Sequence, residues 1–184
     1  VIGGGEVEGA GMYGEIIASM KRKRNTQLGG GVDEMTINLY SSRLRWDFDE
    51  CTRQWFLQCG RGGRTTMGNV WGMLCGECDI RRSWKVPNAL AFASDGCGND
   101  YVIREVRGQH CVFFVDSYTN DDFDQQPPTM YASSIYHFWL IYSTLLHRSM
   151  IWYSSKRHLL KLDPDLEKYT DFIRPWEEDQ QERE

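Results

Sequence analysis

The sequence predicts an α+β fold, with helices packed on one face of a mostly antiparallel sheet. Three observations lead there. Short apolar, strand-like runs cluster in the middle of the chain, at 68–74, 89–93, 101–106 and 111–117. Apolar residues at helical spacing lie on both sides of that cluster. No regular alternation of strand and helix follows, so a doubly wound parallel sheet is not expected.

Taken in order, residues 1–32 are glycine-rich at both ends, with Gly3–Gly5 and Gly29–Gly31 enclosing a short helix over Met12–Met20 and then Lys21-Arg-Lys-Arg24. This stretch reads as an N-terminal appendage or a weakly packed first helix. From Asp33 to Leu44, Met35, Leu39 and Tyr40 fall on one helical face. Asp47 or Asp49 then caps a second helix that runs through Leu57 and stops at Gly60. Gly68–Leu74 begins the strands. Phe92-Ala-Ser-Asp-Gly-Cys-Gly-Asn-Asp-Tyr101 is a strand, a polar glycine-punctuated turn and the start of another strand. Its glycines suit positive φ, and Asp95 and Asn99 suit bonds to nearby amides. Arg107–His110 reads as a hairpin loop, and Val112–Val115, apolar on both faces, as a central strand. Pro127-Pro128 marks a break. Ile135, Phe138, Trp139, Tyr142, Leu145 and Leu146 then repeat at helical spacing behind Ser133 as N-cap. Leu159–Leu166 is a short connection interrupted by Pro164, and 177–184 is a charged, solvated tail.

Charge is unevenly spread over the 184 residues, whose net charge is −5. Residues 1–90 carry 12 Lys/Arg and 10 Asp/Glu; residues 91–184 carry 9 and 16. Between 95 and 124, Asp95, Asp100, Glu105, Asp116, Asp121, Asp122 and Asp124 face only Arg104 and Arg107. An acidic face repels phosphate and attracts basic proteins, so no nucleic-acid partner is expected. Tyr118 and Phe123 lie among these carboxylates. Charge speeds encounter while rings supply contact area, which makes Asp95, Asp100, Asp116, Tyr118, Asp121, Asp122, Phe123 and Asp124 the candidate partner-binding set. The plain alternative is a hydrophilic loop.

Other constellations point to chemistry less well. Gly9-Ala-Gly-Met-Tyr-Gly14 has dinucleotide-loop spacing, but the strand before it is missing or only the two residues Val1-Ile2, so flexible glycine is expected. Cys75-Gly-Glu-Cys78 with Cys97, Cys111 or His110 would make a zinc site, yet a second close ligand pair is absent and His110-Cys111 point to opposite faces of a strand. Six cysteines at this length read as reduced thiols packed as small hydrophobes. His110, His137, His147 and His158 show no Ser-His-Asp or Cys-His order, and His137, on an apolar helix, is expected to be hydrogen-bonded and partly buried. The acids at 95 and 100 are too few for a calcium loop. No catalytic residue, cofactor or metal is therefore expected. No run of eighteen apolar residues marks a membrane span, and the start lacks signal-peptide features, so a cytoplasmic protein is expected. The missing initiator Met implies a fragment or a processed chain.

The segment from Phe92 to Tyr101, followed by Val112–Asp116 and by Ala132-Ser-Ser-Ile-Tyr-His-Phe-Trp-Leu140, resembles the SUKH superfamily, also called the Smi1/Knr4 family. A looser likeness covers Leu44–Leu57 with Gly60, Gly62 and Gly63, although Trp46 stands where the family has proline; Leu162-Asp-Pro-Asp-Leu166 and Pro175-Trp176 resemble the close of bacterial members. The resemblance implies one SUKH-like domain over 33–176. It further implies a non-enzymatic immunity protein that neutralises a cognate toxin of a polymorphic toxin system by covering its active site. A Smi1/Knr4-like regulatory scaffold is the alternative, and a zinc- or nucleotide-binding enzyme the remote one.

Overall fold

A computed structural model describes residues 11–65, 68–73, 80–83, 86–116, 128–145 and 155–177. Its elements are α1 (Gly14–Lys21), β1 (Gln27–Leu28), α2 (Glu34–Leu44), α3 (Glu50–Cys59), β2 (Gly63–Thr65), β3 (Gly68–Val70), β4 (Arg81–Arg82), β5 (Ala89–Ser94), β6 (Asp100–Val106), β7 (Gln109–Val115), β8 (Thr129–Ala132), α4 (Ile135–Leu145) and α5 (Lys156–Leu162), with a 3₁₀ turn at Pro164–Lys168. The fold is mixed α+β. The strands form one antiparallel sheet in the order β1-β2-β3-β5-β6-β7-β8, and β4 pairs with β5. β3 and β4 share one edge of β5: Val70 is opposite Ala93, while Arg81 is opposite Ala91.

Apolar content dictates which strands are central. β5 and β7 are buried along most of their length, and β6 over Tyr101–Ile103, because Leu90, Phe92, Tyr101, Ile103, Val112 and Phe114 alternate with Ala91, Val102 and Phe113. On the first of these faces Tyr101 and Phe92 meet Phe138 of α4, at ring separations of 4.9 and 5.3 Å. Trp139 of α4 stacks on Trp55 of α3 at 4.3 Å, and Tyr13, at the entry to α1, packs its edge on Trp55 and Tyr136. The second face of β7 is covered too. Phe113 meets Phe172 at 5.1 Å, and Tyr169 Oη donates to Gln109 at 2.8 Å.

Local signals explain the boundaries. Asp33 and Asp49 accept the Thr36 and Thr52 amides, each at 2.8 Å, and so cap α2 and α3; Gly60 is the C-cap of α3. Arg107 and Gly108, both at positive φ, form a two-residue turn that suits right-twisted strands. The loop expected over 107–110 is thus half that length, and Gln109 and His110 belong to β7.

The described part of the glycine-rich N-terminal segment, 11–32, packs on the rest of the fold, and the face expected for α2 is corrected. Tyr13, Ile16 and Met20 are buried in the common core, β1 pairs with β2, and Val32 N donates to Phe56 O at 3.0 Å. On α2 the buried side chain is Ile37, whereas Met35 and Leu39 are 76% and 65% exposed. The 66–67, 74–79 and 117–127 segments, with Cys75 and Cys78, lie outside the described residues, as do 1–10 and the tail from 178.

Candidate functional site

The turn between β5 and β6 is built around one carboxylate. Asp95 Oδ1 accepts the amides of Cys97 (2.7 Å) and Asn99 (3.2 Å), and Oδ2 accepts Asn99 Nδ2 at 2.8 Å. The Asp95 amide donates back to Asn99 O at 3.2 Å. Gly96 and Gly98 hold φ of 81° and 104°, which only glycine adopts at little cost. Asp95 is therefore a turn-maker first, and its negative charge is fixed at the sheet's end.

Antiparallel register gathers more acid there. Asp100 opens β6 opposite Ser94 on one side and Val115 on the other. Asp116 follows Val115 directly. Asp100 and Asp116 are half-buried at this rim, each with interactions of its own. Thr129, at the start of β8, pairs with Phe114, so the chain leaves this end at 116 and re-enters at it by 129. Of the expected partner-binding set, Asp95, Asp100 and Asp116 are thus brought to one end of the sheet. Tyr118, Asp121, Asp122, Phe123 and Asp124 lie outside the described residues.

Two histidine clusters stand elsewhere. At the opposite end of β7, His110 is buried beside α3; its Nδ1 lies 3.2 Å from Thr52 Oγ1 and 3.4 Å from Asp49 Oδ1, and its amide donates to Asp49 Oδ2 at 3.2 Å. Burial pushes the Asp49 carboxyl up, but hydrogen bonds from His110 and Thr52 outweigh that and hold it at about 2. The cluster fastens the start of α3 to β7.

The second cluster is a grouping that sequence order did not reveal. Fully buried Asp163 accepts the Ser133 amide at 2.7 Å and the Ser133 hydroxyl at 2.6 Å. His137 Nδ1 is 3.0 Å from Ser133 Oγ, 3.1 Å from Ser134 Oγ and 3.5 Å from Asp163 Oδ1. A hydrolase relay places the ring between carboxylate and hydroxyl and uses both of its nitrogens. Here, among the described residues, the contacts of the ring all fall on Nδ1, and the buried Ser133 hydroxyl donates its hydrogen bond to Asp163 directly. The arrangement anchors the chain instead. Ser134, not Ser133, is the cap of α4, accepting the His137 amide at 3.2 Å. The i, i+3 spacing of Ser134 and His137 was the available signal; the partner thirty residues on had none.

The buried thiols Cys59 and Cys111 are poor nucleophiles. Burial pushes Cys59 and Cys111 to about 12. Cys97 is exposed on the acidic turn. No group of three metal-ligating side chains is gathered among the described residues. Among the described residues, too, no helix is long and apolar enough to cross a membrane. An open cleft of about 690 Å³ lies between α1 and α4, with Glu15, Arg22, Tyr136 and Ser143 among its lining residues. Compared with known proteins, the chain matches no family model and no curated sequence.

Proposed function

We propose that this chain is a non-enzymatic binding module whose acidic sheet end seats on a cationic surface of a partner protein. On this reading it is a SUKH-type immunity protein that acts in the cytoplasm and covers the active site of a cognate toxin. One observation carries the reading: register brings Asp95, Asp100 and Asp116 to one rim, and the chain departs from and returns to that rim on either side of a segment holding three more acids and two rings. A rim of one sign raises the encounter rate with an oppositely charged protein. The family part rests on the motif from Phe92 to Tyr101, which forms a tight hairpin turn, and on its order before β7 and α4.

The test begins with capture of the partner by cross-linking in the source cells and its identification by mass spectrometry. Association is then followed by stopped flow at low salt for the native chain and for D121K/D122K/D124K. The expected outcome is an on-rate at least tenfold lower in the variant, with a smaller salt dependence. An unchanged on-rate would refute the role of the rim, and a captured partner that is no toxin would refute the immunity role alone.

A further inference from the structure

A second charged surface lies on the first edge of the sheet. α1 ends on Lys21, and Arg22, Lys23 and Arg24 form the turn into β1. That turn is held by its backbone: Lys23 N donates to Met20 O at 2.9 Å and Thr26 N to Lys23 O at 3.2 Å, with Asn25 at a φ of 65°. The chain comes back to the same edge after α3. Arg61 N donates to Gly30 O at 3.0 Å, Gly29 N to Gly62 O at 2.7 Å, and Arg64 stands opposite Gln27. Residues 11–32 and 60–65 together carry Lys21, Arg22, Lys23, Arg24, Arg61 and Arg64 against the single acid Glu15. Lys21, Arg22, Arg24 and Arg64 are exposed and in no ion pair among the described residues.

We infer that this edge binds the phosphodiester backbone of a nucleic acid. Four of the six cations are arginines, whose forked donors match phosphate oxygens better than a point charge does. A docked protein needs buried apolar anchors, and Met12 is the one large apolar side chain described as exposed in these two segments. Phosphate contacts need none. The inference departs from the expectation drawn from the acidic half because the two surfaces are separate. β1 lies four strand positions from β6, roughly 19 Å at the usual strand spacing. That exceeds the screening length of about 8 Å at physiological salt. It does not rest on the role proposed for the acidic rim. Cations also guard an edge strand against pairing, and a guard alone would show no affinity for phosphate.

Fluorescence anisotropy of the full chain with a labelled mixed-sequence single-stranded RNA and, in a second arm, a labelled DNA duplex tests this. Binding is expected at low salt, falling as salt rises, and the tighter arm identifies the nucleic acid. R22E/R24E is expected to lose at least about tenfold in affinity and to reduce the salt slope by about two, whereas R22K/R24K keeps the slope. Should R22E/R24E fail to melt cooperatively, R64E replaces it, with a slope reduced by about one. Absence of binding at low salt, binding that these reversals leave intact, or competition by polyglutamate equal to that by unlabelled nucleic acid would each overturn the inference.

Discussion

Asp49 concentrates several physical effects in one side chain. It caps α3 and receives the His110 amide, and its carboxyl is held at about 2 in the fold against a usual value near 3.9. A depressed carboxyl stabilises the fold above its unfolded pKa, and that stability is lost as pH falls from about 4 through about 2. The difference corresponds to roughly 2–3 kcal/mol. D49N keeps a good cap but removes the charge, so urea unfolding at neutral pH should show a loss of about that size. The acid limb of its stability profile should also be flatter between pH 4 and 2. Equal acid sensitivity in D49N and the native chain would remove Asp49 as the cause. Asp163 is the complementary case, wholly buried. D163A takes the carboxylate acceptor from both the Ser133 amide and hydroxyl, leaving the buried amide unpaired, and should cost about 3 kcal/mol or more in the same assay, with D163N intermediate.

Elements show what a sequence discloses and what it hides. α3 was legible because Asp49, the apolar spacing and Gly60 all speak within one stretch of chain. β5, β6 and β7 were legible from apolar runs broken by Asp95-Gly-Cys-Gly98 and Arg107-Gly108. β1, β2 and β4 were not, since two or three residues such as Gln27-Leu28 carry no period, and their partners alone make them strands. α2 misled in its face. Met35 and Leu39 have helical spacing, but α3 lies on the side of Ile37, where Glu34 and Arg53 also pair. The triple glycine was not legible, because composition cannot separate a glycine in open space from one at a close approach. At Gly31 a Cβ would run into the Leu57 carbonyl, whereas at Gly30 it would meet nothing within 4 Å. G31A should therefore destabilise by about 3 kcal/mol or more in thermal melts, while G30A should be neutral or gain up to about 1 kcal/mol. Equal melting temperatures for the two would contradict the packing of this segment.

At the scale of the whole molecule, the acids at 95, 100 and 116 mean little as a list of positions. Antiparallel pairing makes them one rim, with Asp100 between Ser94 and Val115. The acid excess was readable in the sequence; its gathering at one end of the sheet was not, because register is a long-range property. The same pairing places Arg64 opposite Gln27 and so unites two basic segments at the far edge. The molecule thus presents charge of opposite sign at two separated places on a scaffold whose core is aromatic. Hydrogen exchange of the isolated chain and of its complex with the captured partner tests the central claim most directly. Slowed exchange over the β5–β6 turn at 95–100 and at 116, with β1 and the Lys21–Arg24 turn unaltered, is the predicted result. Slowing confined to the exposed face of α2 or to the β1 edge, with the acidic rim exchanging as in the free chain, would contradict it.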